Sequence, residues 1–168
     1  MNSSPISLIS CNQSIFESIL KSDNHLAELL QINVPEQWSE FGRQAFEYGL
    51  SKIIESPDSV AWWTYFPILK ESNTLIGSCG FKGLPNEQGE VEIGYEVAKV
   101  YRNKGFATEI ARQLIDKAFL DKNVKSIIAH TLAMENPSVS VLRKCQFKLI
   151  EEIIDPEDGL IWRWILKK

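Results

Sequence analysis

The longest regular pattern of hydrophobic and polar positions in the chain runs from Gly89 to Phe119. Its first part alternates residue by residue, which predicts a strand with one buried face. Its second part repeats at intervals of three and four residues, which predicts a helix with one buried face. The apolar strand positions are Val91, Ile93, Tyr95 and Val97, and those of the helix are Ala107, Ile110, Ala111, Leu114, Ile115, Ala118 and Phe119. A strand, a short basic turn and an amphipathic helix therefore follow one another near the middle of the chain.

The first third of the chain favours one strand and three helical pieces. Ile6–Ile9 suits a short strand, and a helical pattern over Gln13–Leu30 is interrupted where Ser22 or Asp23 can cap a second piece. Val34 is expected to end that piece, because the proline that follows disfavours helical backbone at the residue before it. A further helix is predicted next, and its expected apolar face consists of Phe41, Ala45, Phe46, Leu50, Ile53 and Ile54.

The remaining segments are mostly typical of strands. Val60–Lys70 and Thr74–Lys82 predict a hairpin, and Val124–Leu132 predicts a strand after the long helix. A strand, a helix and a second strand make a right-handed crossover with parallel strands. The last predicted elements are a short helix to Cys145 and a closing hairpin of Phe147–Ile154 and Leu160–Leu166. The pattern predicts an α+β fold: a mixed, mostly antiparallel, twisted sheet with one βαβ crossover, flanked by helices.

Composition narrows the class of protein further. With 168 residues, 44% hydrophobic and 24% charged, the chain suits one globular domain over residues 1–168. A net charge of −4 argues against a nucleic-acid or anionic-membrane surface. Three scattered cysteines and two distant histidines predict neither disulfides nor a metal site. No apolar run approaches the ~20 residues that span a bilayer, and no export signal opens the chain, so we expect a cytoplasmic protein.

The turn between the central strand and helix suggests a ligand site. It reads Arg102-Asn103-Lys104-Gly105-Phe106-Ala107. The small residues Gly105 and Ala107 let backbone approach a ligand closely, and the first N–H groups of a helix lack partners within it. Together with the helix dipole they form an anion site that suits a pyrophosphate. The alternative is that the glycine only makes a turn.

The motif Arg102-x-x-Gly105-x-Ala107, placed between a strand and a helix, resembles the acyl-CoA pyrophosphate loop of the GNAT superfamily of N-acetyltransferases. Other segments are similar to the branch that includes the ribosomal-protein N-terminal acetyltransferases. They are Glu92–Val97, Gly105–Glu109 and the spaced motif Ser138-x-x-Val141-Leu142-x-Lys144. The resemblance extends from about Thr74 to Phe147, and it implies a GNAT-like sheet and acetyl-CoA as cofactor.

The resemblance implies where acetyl-CoA binds. Glu96 and Val97 would pair with the pantetheine arm through main-chain atoms, as though the cofactor were an added strand. Thr108 would donate its hydroxyl to the pyrophosphate, and the side chains of Arg102 and Lys104 would either add charge or remain solvated. The pyrophosphate itself would bind the backbone N–H groups of Arg102, Asn103, Lys104, Gly105, Phe106 and Ala107.

Glu92 is the predicted general base, because related enzymes carry a glutamate at the matching strand position. Alternation places Glu90, Glu92 and Glu96 on one face, where three carboxylates would suit a cationic acceptor. The alternative is a solvent-facing sheet edge, and Glu90 is the second candidate if the strand register slips.

The second motif departs from the family pattern. The usual Asn-x-x-Ser is one residue shorter as Asn136-Pro137-Ser138, so Asn136 would still reach the pantetheine amide only if the shorter loop keeps its direction. Leu142 stands where several relatives carry a tyrosine that protonates the leaving thiolate, and Gln146 replaces a glycine. Ser138 is the remaining hydroxyl at a family position, and it serves either as that acid or as a helix N-cap. A thiolate can also leave without a protein acid.

The function implied is an acetyl-CoA-dependent N-acetyltransferase acting by direct attack in a ternary complex. Its acceptor would be a primary amine, on a protein N-terminus or a small molecule. The alternatives are a CoA-binding or regulatory module without catalysis, and a plain interaction domain. Trp38, Phe41 and Tyr48 either shape an acceptor groove or belong to the core. The protein would be a monomer or a homodimer.

Overall fold

The computed structural model describes residues 3–168. Within that range the chain forms eight strands and five α-helices. The strands are β1 (Ile6–Ser10), β2 (Thr64–Leu69), β3 (Thr74–Leu75), β4 (Gly77–Phe81), β5 (Glu90–Val97), β6 (Ser126–Leu132), β7 (Lys148–Asp155) and β8 (Gly159–Lys167). The helices are α1 (Gln13–Lys21), α2 (Asp23–Leu30), α3 (Gly42–Glu55), α4 (Phe106–Leu120) and α5 (Pro137–Lys144). None of these helices is both long enough and apolar enough to cross a membrane.

The described chain divides into two compact units. The first contains the residues up to Gly80 together with Tyr95–Phe106, and the second contains Phe81–Gly94 together with Ala107–Lys168. The prediction of a single domain stays a prediction.

The first unit packs α1, α2 and α3 with antiparallel strands. β2 pairs with β1 on one edge and with β3 and β4 on the other. Trp38 stacks on Phe46 with ring centroids 5.5 Å apart, and Phe66 meets both rings edge-on. Aromatic pairs in these geometries stabilise a core beyond the area they bury.

The starts of α1 and α2 in the first unit follow from side-chain caps. The Asn12 carboxamide accepts a hydrogen bond from the Ile15 N–H at 3.0 Å and begins α1. Ser22 does the same for α2 through the N–H of His25, so of the two predicted caps Ser22 is the one used.

Three local predictions in the first unit were wrong. Helix α2 ends at Leu30 rather than Val34, because Gln31 takes a left-handed conformation with φ 52°. Pro57–Trp62 forms a 3₁₀ helix, so β2 begins at Thr64 rather than near Val60.

The third error concerns the apolar face of α3. Its buried positions are Phe46, Gly49 and Ile53, whereas Phe41 and Ile54 are more than half exposed. A Cβ at Gly49 would lie 2.7 Å from Phe16 Cζ, so the glycine is what lets α3 approach α1. The buried face of α3 is therefore centred on Gly49, a residue without a side chain.

The second unit contains the predicted crossover. β5 runs parallel to β6, with Glu92 opposite Ile128, and α4 connects them. β8 pairs antiparallel with both β6 and β7. The buried face of α4 consists of Thr108, Ile110, Ala111, Leu114 and Ala118. The prediction of a mostly antiparallel α+β fold with one βαβ crossover is confirmed.

Candidate active site and cofactor loop

The predicted cofactor loop lies between a short 3₁₀ turn at Lys99–Tyr101 and the start of α4. Asn103 (φ 61°) and Gly105 (φ 82°) both have left-handed backbone, which reverses the chain just before the helix. A Cβ built on Gly105 would meet no atom within 4 Å. The backbone at the start of α4 is therefore open to a ligand, and its first N–H groups are unpaired within the helix.

The two cationic side chains of the loop, those of Arg102 and Lys104, have different surroundings. Arg102 donates from Nε to the Val97 carbonyl at 2.8 Å and from its guanidinium to Glu40 Oε2 at 2.9 Å. Lys99 adds a second cation 3.4 Å from Glu40 Oε1. The hydrogen bond and charge of Arg102 lower the pKa of the Glu40 carboxyl. Lys104 contacts no carboxylate in the described part of the chain, and its ammonium lies 5.5 Å from the centre of the Tyr101 ring.

Glu96 has a role that the alternating pattern did not predict. Its side chain is 8% exposed, although alternation placed it on an open face. One carboxylate oxygen accepts from the Ser39 and Ser78 hydroxyls, and the other accepts from the backbone N–H groups of Glu40 and Phe41.

These bonds hold the two residues that lead into α3, while the first N–H of the helix, that of Gly42, donates to Ser39 Oγ at 3.2 Å. A carboxylate near the start of a helix is also favoured by the helix dipole. The side chain of Glu96 is thus committed to structure, whereas its predicted contact with pantetheine involves only main-chain atoms.

Glu92 has two side-chain partners in the second unit, Lys82 and His130. Its Oε1 is 2.6 Å from the Lys82 ammonium and 2.9 Å from His130 Nδ1. The side chain is 24% exposed, so its partners can hold it without closing it off from ligands.

Glu90, the second candidate base, is held differently. Its Oε2 lies 3.2 Å from Arg163, which also binds Glu151 at 2.9 Å. Each carboxylate of the predicted acidic face therefore has its own positive or hydrogen-bonding partner.

Sequence reasoning missed His130, which it considered only as a metal ligand. The parallel pairing of β5 with β6 was the signal that could have indicated the contact between His130 and Glu92. Glu92 pairs with Ile128, and His130 lies two residues further along β6, on the same face. Within residues 3–168 no three metal-ligating side chains cluster.

The second motif forms the start of α5, and its residues have local partners. The Asn136 side chain accepts from the Val139 N–H at 3.0 Å and donates to the Met134 carbonyl at 2.9 Å. Asn136 is thus the N-cap, so the interpretation of Ser138 as the N-cap was wrong. Ser138 lies half-buried in the first turn.

The two other departures of this motif also have structural correlates. Leu142 is 1% exposed, so the position that carries a tyrosine in several relatives belongs to the core here. Gln146 has a φ of 66°, a left-handed conformation that explains why a glycine is usual at this position.

Ala107 and Thr108 begin the buried face of α4. Ala107 is half-buried and Thr108 is 8% exposed, with its carbonyl 4.0 Å from the thiol of Cys145. Burial raises the pKa of that thiol. At this end of α4, a phosphate could therefore bind main-chain N–H groups and one small side chain, that of Thr108.

The aromatic residues considered for an acceptor groove divide into two groups. Trp38 is 4% exposed and belongs to the core, whereas Phe41 and Tyr48 are more than half exposed. Trp38 also borders a pocket of about 230 Å³ within the first unit. The other lining residues are Ile19, Leu20, Asp23, Gln37, Ser39, Gly42, Arg43 and Phe46.

Comparison with known proteins identifies the family of this chain. The family model of the acetyltransferase (GNAT) domain matches residues 16–148. The chain belongs to the GNAT family, which confirms the predicted family and enzyme class.

Two curated relatives are uncharacterized N-acetyltransferases of bacilli. The chain is 37% identical to p20 of Bacillus licheniformis over 48% of its own length and 46% of p20. It is 26% identical to YjdG of Bacillus subtilis strain 168 over 80% of its own length and 81% of YjdG. The match with p20 thus spans about half the length of that protein.

Solved structures share the fold over nearly the whole chain. The ribosomal-protein-S5-alanine acetyltransferase of Vibrio fischeri has a TM-score of 0.71 at 14% identity, covering 99% of this chain and 95% of that one. The spermidine N-acetyltransferase of Vibrio cholerae has a TM-score of 0.69 at 15% identity, covering 98% and 95%. RimL, a ribosomal L7/L12 alpha-N-protein acetyltransferase solved in complex with coenzyme A, has a TM-score of 0.72 at 13% identity, covering 98% and 95%.

Proposed function

We propose that this protein is an acetyl-CoA-dependent N-acetyltransferase that acetylates a primary amine by direct attack in a ternary complex. The observation that carries the proposal is the environment of Glu92. Its Oε1 is held by Lys82 and His130, whereas Oε2 accepts no hydrogen bond in the described part of the chain. A carboxylate with one oxygen held and the other open suits the removal of a proton.

The residues of the loop at the start of α4 fit the pyrophosphate of CoA. The backbone of residues 102–107 would hold it, with the open approach at Gly105 and the ammonium of Lys104 as supporting observations. Arg102 would act mainly by fixing the loop, since its guanidinium is occupied by Glu40 and Val97. Bound acetyl-CoA supplies an acetyl group activated as a thioester.

The other predicted contacts with the cofactor remain part of the proposal. Glu96 and Val97 would bind pantetheine through main-chain atoms, and the Val97 carbonyl still has a lone pair beside the one that accepts from Arg102. Thr108 would donate its hydroxyl to the pyrophosphate. Asn136 would contact pantetheine through the lone pair of its side-chain oxygen that the bond from Val139 leaves unused.

Glu92 would make the acceptor nucleophilic. Amines are protonated at neutral pH, and a protonated amine has no lone pair for attack. Glu92 Oε2 would take this proton, directly or through water, so that the N–H electron pair becomes available on nitrogen. The departing thiolate would take a proton from Ser138 or leave without one, since a thiol pKa of about 8.5 makes the anion a tolerable leaving group.

The acceptor would be a peptide N-terminus or a small amine. Both types appear in the names of proteins with the same fold, one a ribosomal-protein alanine acetyltransferase and the other a spermidine acetyltransferase. The pocket beside Trp38 has a mixed apolar and polar lining, in which the carboxylate of Asp23 would attract an amine and Arg43 is paired with Glu47.

Replacing Gly105 with asparagine should raise the dissociation constant of acetyl-CoA about tenfold, or ~1.4 kcal/mol. Asparagine tolerates left-handed backbone, as Asn103 shows two residues earlier, so the loop should keep its shape. The new side chain would point into the space that the pyrophosphate needs. Isothermal titration calorimetry would measure the change, and an unchanged affinity in the folded variant would exclude this loop as the pyrophosphate site.

Replacing Lys104 with glutamine should weaken CoA binding about fivefold at low salt, with a much smaller difference at 1 M salt. The reason is that its ammonium contacts no carboxylate in the described residues and is free to attract phosphate. Lys99→Gln is the matched control, because Lys99 already faces Glu40, and its effect should stay within about twofold. Equal effects of the two variants would show that only net charge matters.

A second candidate function is CoA binding without catalysis, favoured by Leu142 in the core at the position where several relatives carry a tyrosine acid. Calorimetric titration with CoA, followed by an assay of thiol release with amines, separates the possibilities. Binding with amine-dependent release supports the enzyme, and binding without release supports the module. No binding would leave only an interaction domain.

A further inference from the structure

The Glu92 carboxylate is oriented by two groups that share one of its oxygens. Oε1 receives both the Lys82 ammonium at 2.6 Å and His130 Nδ1 at 2.9 Å. Both bonds therefore use the same oxygen, and Oε2 accepts no hydrogen bond from the described residues.

Because His130 contacts a carboxylate, the ring nitrogen that carries the hydrogen can be inferred. An ionised carboxylate can only accept hydrogen bonds. His130 Nδ1 must then carry the hydrogen, and in the neutral ring Nε2 keeps the lone pair. The contact with an ionised Glu92 thus requires the Nδ1–H tautomer, and this expectation can be tested without any ligand.

The two partners of Glu92 differ in rigidity. Lys82 is 62% exposed on a flexible four-carbon stem, whereas His130 is 25% exposed and carries a planar ring on β6. Its cross-strand neighbour on β8 is Arg163. A ring held in a sheet keeps its direction better than an exposed lysine, so His130 rather than Lys82 sets the orientation of the carboxylate.

We propose that His130 is a positioning residue for Glu92, which directs Oε2 to the proton of the acceptor amine. This inference rests on the proposed function. In the step concerned an N–H bond of the acceptor breaks, an O–H bond forms at Oε2, and the electron pair stays on nitrogen. His130 neither gains nor loses a proton, because its Nδ1–H bond to Oε1 persists throughout.

The first test is nitrogen NMR of the unliganded protein labelled at histidine. The wild-type spectrum should show His130 as the Nδ1–H tautomer at a pH where the ring is neutral. Glu92→Met removes the acceptor without a large change in size, and it should convert His130 to a mixture or to the Nε2–H form. A wild-type ring that is already Nε2–H overturns the inference, and this readout needs neither activity nor a His130 variant.

The second test is kinetic and uses two substitutions of the same residue. His130→Asn places an amide donor close to the position of Nδ1, whereas His130→Phe keeps a ring and removes the donor. We expect His130→Phe to lose about tenfold in kcat, with KM for acetyl-CoA unchanged, and His130→Asn to recover most of that loss. A purely structural role would affect both parameters and would not be rescued by asparagine.

The outcomes distinguish this inference from the proposed function. A wild-type protein that acetylates amines while His130→Phe keeps full kcat overturns the positioning role alone. A folded wild-type protein that binds CoA but acetylates no amine overturns the proposed function, and any catalytic part for His130 with it.

Discussion

Glu92→Gln is expected to lower kcat at least tenfold while the dissociation constant of acetyl-CoA stays within about threefold. Glutamine keeps the size of the side chain but cannot take a proton, and loss of a general base typically costs 10²–10⁴ in rate. The loop at the start of α4 is untouched, so binding should differ by less than ~1 kcal/mol. Steady-state kinetics and calorimetry on the same preparation would measure both quantities.

The pH dependence adds a second criterion for Glu92. The deficit of Glu92→Gln should shrink at high pH, where the acceptor amine is already neutral and needs no base. Glu90→Gln is the comparison, because Glu90 lies on the same strand and also receives both of its contacts, from Arg163 and Asn86, on one oxygen. A larger kcat loss for Glu90→Gln than for Glu92→Gln would transfer the role of base to Glu90.

Glu96→Leu is expected to reduce the free energy of unfolding by about 2–4 kcal/mol. The substitution removes the acceptor of two hydroxyls and two backbone N–H groups, and each buried donor left without a partner costs ~1–3 kcal/mol. Glu40 and Phe41 are exposed and can turn to water, which keeps the total below the sum. Urea unfolding followed by circular dichroism would give the value.

Glu96→Gln is the matched variant for this experiment. It keeps one carbonyl oxygen for the donors but loses the charge at the α3 N-terminus, so its loss should be roughly half that of leucine. Because the same bonds hold residues 39–41, limited proteolysis should cut Glu96→Leu in this segment first. If Glu96→Leu is as stable as the wild type, the bonds of Glu96 do not stabilise the start of α3.

The parts of the fold that sequence predicts well are those set by local periodicity. The alternation in β5 and the repeat in α4 are strong, and both elements begin and end within two residues of the prediction. Their succession, with β6 after them, leaves few topologies other than a parallel crossover.

The wrong predictions concern places where a tertiary contact or a backbone conformation determines the buried face or the end of a helix. Gly49 has no side chain for a pattern to detect, yet it is the point where α3 meets Phe16. The left-handed Gln31 ends α2 earlier than a proline rule expects, since glutamine is not a usual residue for that conformation.

In the candidate site, too, contiguous motifs can be predicted from the sequence, whereas contacts between distant residues cannot. The Arg102–Ala107 motif is contiguous, so residue spacing and family resemblance locate it. Glu96 is buried by partners that lie up to 57 positions away in sequence, and no local pattern indicates them. The Glu92–His130 contact is intermediate, because it can be inferred only once β5 and β6 are known to be parallel and in register.

The most direct test of the central claim is amine-dependent release of thiol from acetyl-CoA, with mass analysis of the acceptor. The panel should contain spermidine and short peptides with free N-termini. We predict that at least one amine gives equimolar thiol and N-acetylated product, and that Glu92→Gln releases at least tenfold less. Saturable CoA binding with no acetylated product from any amine would contradict the account.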